Sequence, residues 1–311
     1  MRQKRPPLLV IFGPTGAGKT ELAHRVALAR GGEVVSADAF AVYRGLDVGT
    51  AKPSPARRAE VAYHMLDVAS PDEAFSAGRW AEEARAAVEG VTRRNRLPIL
   101  CGGSGFYLSA LLGGLPVGDV RDPTLRTALS QWARRRGAAA AHLFLERNDP
   151  SSARRIPVGN LRYTIRALEI LLATGREASS RARPTADWAA GFRVRKVGLR
   201  PAPAQLHVRI EDRVHRMLEE GWDAEVRRLL DMGLSLEANS FQAIGYRQVA
   251  EWVLGRISRR EAEEQIMAAT RALAKRQRTW FARERDATWV APEESFATTL
   301  ALLDEEDRET R

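Results

Sequence analysis

At 311 residues the chain is long enough for one large domain or for a core carrying a second module. Hydrophobic content of 44% and charged content of 28% are those of a globular protein, and no apolar run approaches the roughly 20 residues that span a bilayer. The formal charge of +10 suits a polyanionic partner such as nucleic acid. Only five of the 49 basic residues are lysine, however, an imbalance that the arginine codons of a GC-rich genome produce without selection for function, so the placement of charge says more than its sum.

The opening "MRQKRPPLLVIFGP" has a basic patch and a short apolar run leading straight into a glycine loop, which predicts a first strand over Leu8 to Phe12 and not a signal peptide. "KTELAHRVALARGG" has helical spacing through Leu22, Val26 and Leu28 and stops at Gly31 and Gly32. "EVVSAD" reads as a second strand, "FSAGRWAEEARAAVEGVTRR" as a helix, and "LPILCGGSG" as a third strand ending in a glycine turn before another helix. This alternation predicts an α/β fold: a P-loop parallel sheet flanked by helices, with ligands at the carboxyl ends of the strands. "GPTGAGKT", "SAD" and "CGGSG" all fall at those ends.

From about Arg121 the pattern changes to arginine-rich helical segments, with no good strand until "FRVRKVGLR". We expect a helical insertion domain over 119–197, within a core formed by 1–118 and 198–311. After it, Leu206, Ile210, Val214 and Leu218 share one helical stripe, and long helices continue to about Arg285. No internal repeat is present. The single cysteine, Cys101, excludes an intramolecular disulfide and a cysteine metal cluster, fits a reducing cytoplasm, and is expected to be a buried strand residue.

Gly13, Pro14, Thr15, Gly16, Ala17, Gly18, Lys19 and Thr20 fit G-x-x-x-x-G-K-[ST], the spacing used for ATP or GTP, with the strand before and helix after that the pattern requires. Backbone N–H groups and the helix N-terminus surround an anion, Lys19 adds charge, and the Thr20 hydroxyl can ligate Mg²⁺. Asp38 ends the second strand at the same edge. It is either a turn or cap aspartate or a carboxylate that holds metal or takes a proton. Ser104, in a glycine turn, offers a hydroxyl donor where the backbone admits a ligand. Arg271, Lys275 and Arg278 share one helical face in "TRALAKRQRTWFARERD", a stripe for phosphates or simply a solvated face. A P-loop kinase and a nucleotide-regulated RNA-binding protein remain open on these residues alone. The third strand lacks the terminal aspartate expected of such a kinase, and the RNA-binding reading gives Asp38 and Ser104 no role.

Taken together, "GPTGAGKT", "SADAFAVYRGLDVGTAKP", "YHMLDVASPDEAFSAGRW", "CGGSGFYLSALL", "RALEI", "MLEEGWDAEVRRLL", "FQAIGYRQV" and "AKRQRTWF" resemble the tRNA dimethylallyltransferase (tRNA isopentenyltransferase) family in consistent order over roughly residues 8 to 290. The resemblance implies transfer of the dimethylallyl group of dimethylallyl diphosphate to N6 of the adenosine 3′ of the tRNA anticodon, with Mg²⁺ as cofactor and a cytoplasmic monomer acting on the anticodon stem-loop. It implies that the loop holds a prenyl diphosphate, with Lys19, Asp38 as general base and Ser104 as the catalytic residues, and Thr20 on the metal. It further implies that tRNA is contacted by Asp38, Ala39, Phe40, Ala41, Ser104 and Arg126, and by Arg162, Tyr163 and Arg166. Gln242, Ala243, Ile244, Gly245, Tyr246 and Arg247 form a third such stretch, and Lys275, Arg276, Gln277, Arg278 and Trp280 a fourth. The chain departs from the family's Ser-x-Gln at Ala39 to Ala41, from His-Pro-Asn-Asp at Pro157, Val158, Gly159 and Asn160, from a usual arginine at Tyr163, and from a usual threonine at Ser104, which keeps the hydroxyl.

Overall fold

A computed structural model describes residues 5–113, 122–180 and 188–308. The chain divides into two compact units, Met1–Gly113 with Trp188–Arg311, and Gly114–Asp187. The first unit opens with β1 (Pro7–Phe12), α1 (Lys19–Arg30), β2 (Gly32–Ser36), α2 (Pro55–Glu60), β3 (Tyr63–His64), α3 (Ala77–Arg93), β4 (Leu97–Gly102) and α4 (Gly105–Leu112). The second unit holds α5 (Pro123–Arg136), α6 (Ala138–Asn148), α7 (Pro150–Arg155) and α8 (Leu161–Thr174). The chain then returns to the first unit as β5 (Arg193–Leu199), α9 (Pro203–Glu219), α10 (Trp222–Asp231), α11 (Tyr246–Val253), α12 (Arg259–Phe281), β6 (Thr288–Val290) and α13 (Ser295–Arg308).

Among the described residues the six strands form one sheet in the order β3-β2-β4-β1-β5-β6, every pairing parallel. Ile11 stands opposite both Cys101 and Val197, so β1 is flanked on both sides. Leu8 to Phe12 are all buried. A continuous apolar run is what a strand covered on both faces requires, since neither set of alternating side chains meets water. Leu22 and Val26 of α1 pack into the sheet-side core with Leu9 and Ile99, whereas Leu28, expected on the same stripe, is exposed. At 100° per residue, position 28 lies about 200° from position 26, on the far side of the helix.

The second unit has a core of its own, with Leu129, Ala133, Leu145 and Leu168 at its centre. Its end differs from the sequence expectation. Residues 193–197, assigned to the insertion, lie in β5 and pair with β1 through the Arg193–Pro7 to Val197–Ile11 register. The expected start at 119 lies outside the described residues. Strands β3 and β6, of two and three residues, had no sequence signal because so short a segment displays no alternation.

Candidate active site

The carboxyl ends of β1, β2 and β4 converge. After β1 the chain turns through Gly13 to Gly18 into α1, and Gly18 takes φ of 90° as the N-cap, a left-handed geometry open to glycine without a Cβ penalty. The Lys19 ammonium folds back on its own loop, donating to the Pro14 carbonyl at 2.7 Å. Burial pulls its pKa down to about 8; the Cys101 thiol works against that shift, the Arg213 guanidinium adds to it, and Asp38 opposes it. Cys101 is buried on β4 as expected, and burial pushes its thiol up to about 12, so it is no nucleophile at neutral pH.

Asp38 adopts the turn geometry considered from sequence: its Oδ1 accepts from the backbone N–H groups of Phe40 at 2.9 Å and Ala41 at 3.2 Å. Its Oδ2 has no hydrogen-bond partner among the described residues, and the side chain lines a cavity of about 310 Å³. Lys19, Thr15, Thr20, Phe40, Ala41, Gly102 and Gly103 line the same cavity. Ser104 is not on its wall. Its Oγ accepts from the Tyr107 N–H at 3.3 Å and caps α4, which leaves the hydroxyl proton free to donate.

Three groups of this region were not singled out from sequence. Arg213 on α9 lines the cavity and makes no ion pair among the described residues; burial lowers its pKa, Asp38 opposes that shift, and Arg216 adds to it. Its signal was available. Position 213 falls on the buried stripe of Leu206, Ile210, Val214 and Met217, so a guanidinium stands where the helix otherwise presents apolar side chains. Glu225 on α10 is buried and accepts from the N–H groups of Asp47 and Val48 at 2.7 Å each, from that of Gly49 at 3.2 Å and from the Tyr246 hydroxyl at 2.6 Å. Lys52 donates to the Tyr43 carbonyl at 2.6 Å and to Asp47 at 2.8 Å. Together they hold the turn that brings Gly49, Thr50, Ala51 and Lys52 to the cavity wall.

The residues expected at tRNA fall into two sets. Gln242, Arg247, Lys275, Arg276, Arg278 and Trp280 are exposed, and Gln242, Ala243, Ile244, Arg276 and Gln277 also line the cavity. Lys275, Arg276 and Arg278 make no ion pair among the described residues, while Arg271 of the expected stripe is tied to Glu211. Tyr246, by contrast, is wholly buried against Trp222, and Gly245 is buried beside it; these support Glu225 and present no side chain outward. In the second unit Arg162 and Tyr163 are exposed. Arg126 and Arg166 both bond the buried carboxylate of Glu169, at 3.0 Å and 2.9 Å.

A family model described as IPP transferase matches residues 41–284. The chain is 41% identical over 96% of its length to the tRNA dimethylallyltransferase of Desulfosudis oleivorans, covering 95% of that protein, and 42% identical to that of Methylococcus capsulatus, covering 92% of each. The crystal structure of the full-length tRNA isopentenylpyrophosphate transferase from Bacillus halodurans superposes with a TM-score of 0.70 at 33% identity, covering 99% of both chains. With that family model over most of the chain, and relatives above 40% identity over more than nine-tenths of it, the chain belongs to the IPP transferase family.

Proposed function

We propose that this chain transfers the dimethylallyl group of dimethylallyl diphosphate to N6 of the adenosine 3′ of the tRNA anticodon. The observation that carries the reading is the shared cavity: an anion loop with Lys19, the Arg213 guanidinium, and a carboxylate with one free oxygen line one open cavity that the exposed Arg276 also borders. A kinase reading is disfavoured because β4 ends at Gly102 and is followed by Gly103, with no carboxylate to hold a nucleotide's metal.

In the reaction the N6 lone pair attacks C1 of the prenyl group, the C1–O bond breaks, and its electron pair leaves with pyrophosphate. Charge grows on the departing oxygens, where Lys19, Arg213 and the N–H groups at the start of α1 are placed to stabilise it. Asp38 accepts the proton that N6 loses. Its Oδ1 is held by two backbone donors, which fixes the carboxylate and leaves Oδ2 to take the proton. Ser104, next to the wall, supplies a hydroxyl donor from a capped and therefore fixed position.

The donor set fits Mg²⁺ carried in with the diphosphate. Among the described residues no group of three His, Cys, Asp or Glu could hold a metal alone, and a single hydroxyl from Thr20 suits an ion that keeps most of its shell as water and phosphate oxygen. When bound, that ion supplies charge neutralisation to the leaving group. The target adenine reaches Asp38 only by leaving its stacked loop, at a cost of a few kcal/mol. Arg276 at the cavity wall, with the exposed Lys275, Arg278 and Trp280 of the same helix, is the proposed grip on the anticodon stem-loop; Arg162 and Tyr163 of the second unit are proposed as tRNA contacts in their own right, and the proposed setting is a cytoplasmic monomer.

Incubation with carbon-labelled dimethylallyl diphosphate or phosphate-labelled ATP, each with bulk tRNA, tests the proposal. Carbon label should enter the RNA as N6-isopentenyladenosine and ATP label should not. Transfer of the ATP phosphoryl group, with no carbon label in RNA, overturns it.

A further inference from the structure

Helix α12 turns one face to the core through Ala262, Ile266, Thr270, Ala274 and Phe281. Gln277 stands on that same face, between Ala274 and Phe281, where the spacing calls for an apolar side chain. An amide at a core-facing position must have both its ends satisfied, and here they are satisfied by two different loops. Its Oε1 accepts from the Thr15 N–H at 2.8 Å, and its Nε2 donates to the Gly103 carbonyl at 2.9 Å. Donor meets acceptor at both ends, so the orientation of the amide is fixed by its partners.

These partners are the phosphate loop after β1 and the turn after β4, which border the cavity on adjacent strands. The fit is close. A Cβ built on Gly103 would lie 2.4 Å from Gln277 Nε2, so only glycine lets the amide reach this carbonyl. The bond to Thr15 also removes that N–H from the donors the loop offers an anion. What remains for a diphosphate is the part of the loop nearer α1.

We propose that Gln277 is a positioning residue for the diphosphate loop and not a tRNA contact, although it sits between two exposed cations, Arg276 and Arg278, on the helix proposed to meet RNA. It sets the distance between Thr15 and Gly103, and so the width of the mouth through which the prenyl carbon and the adenine amine approach each other. This rests on the assignment of the Gly13 to Thr20 loop to diphosphate.

Gln277→Met keeps the length of the side chain and removes both hydrogen bonds. Steady-state kinetics with varied dimethylallyl diphosphate, tRNA binding by filter retention, and thermal melting together read the outcome. We expect KM for the diphosphate to rise about tenfold, in keeping with the loss of two ordinary hydrogen bonds. The tRNA Kd should stay within about twofold, and the melting temperature should stay close to that of the unaltered protein. Gly103→Ala, which displaces the amide without changing it, should give the same split. Weaker tRNA binding with an unchanged diphosphate KM makes Gln277 an RNA contact and overturns the proposal; so does a uniform loss that tracks a lowered melting temperature in both variants. Lys19→Ala, measured alongside, tells the two failures apart. Unchanged diphosphate affinity there overturns the loop assignment and the proposal with it, whereas a large loss there beside a silent Gln277→Met overturns the proposal alone.

Discussion

The two groups of cations proposed to meet phosphate, those inside the cavity and those exposed on α12, differ in their setting. Inside the cavity the cations are few and largely desolvated: Lys19 is held on the Pro14 carbonyl with its pKa drawn down, and burial lowers that of Arg213. On α12, Lys275, Arg276 and Arg278 are exposed with no ion pair among the described residues, and Arg276 reaches the cavity wall. A charge already stripped of water interacts strongly with developing charge, whereas a solvated one attracts a polyanion over distance and is weakened by salt. On the proposed function, the inner cations would serve the chemical step and the exposed cations of α12 would serve capture.

The largest effect expected from this contrast is at Asp38. Asp38→Asn preserves the turn acceptor at Oδ1 but cannot take the proton of N6, and single-turnover rate should fall by about 10²–10⁴ while tRNA and diphosphate affinities hold. If the variant instead loses Mg²⁺-dependent diphosphate affinity and recovers its rate at saturating Mg²⁺, Asp38 is a metal ligand.

Next comes Lys19. Lys19→Ala should lower kcat by about 10²–10³, the scale for losing one preorganised group on developing charge, with tRNA binding nearly intact. Near-normal turnover would remove the distinction between the two groups.

A milder probe is pH. With Lys19 titrating near 8, binding of the fully ionised diphosphate should be flat below that value, where the ammonium is charged, and should weaken by up to about tenfold per pH unit above it. The tRNA Kd, governed by arginines, should show no step there, and a pH titration of both affinities compares them directly.

The smallest effect belongs to the exposed face of α12. Arg276→Ala and Arg278→Ala should each weaken tRNA binding severalfold and reduce the slope of log K against log salt by about one, without changing the diphosphate KM. An unchanged slope returns α12 to a plain solvated face.

The sequence disclosed most of what lies inside the cavity, because local chemistry marks it: glycines, lysine and threonine between a strand and a helix, Asp38 and Cys101 at the ends of apolar runs. Arg213, Glu225 and Gln277 were legible only as polar residues placed on buried stripes of α9, α10 and α12, a pattern that needs the helix phase before it can be seen. Tyr246 shows the converse. It lies within "QAIGYR", a stretch that resembles the family's RNA contacts, yet its hydroxyl is spent inside the core on Glu225. A motif assigns a segment to a function but leaves each side chain within it to be assigned by burial. The expected end of the insertion, 197, falls inside "FRVRKVGLR", itself read as a strand; that the whole strand belongs to the core sheet follows from its pairing with β1, which no local pattern displays.

The sheet order also has a consequence in time. β1 pairs with β4 on one side and with β5 on the other, and β5 ends about 100 residues after β4. At about 5–20 residues per second of synthesis, the nascent chain holds β1 as an unpaired edge for roughly 5–20 s. That edge is the apolar run Leu8 to Phe12, the kind of bare strand on which chains associate with one another. The second unit, with its own core, can condense during that interval and shorten the loop left to close before β5 arrives. The helices between β4 and β5 are thus the part of the chain made while that edge stays open.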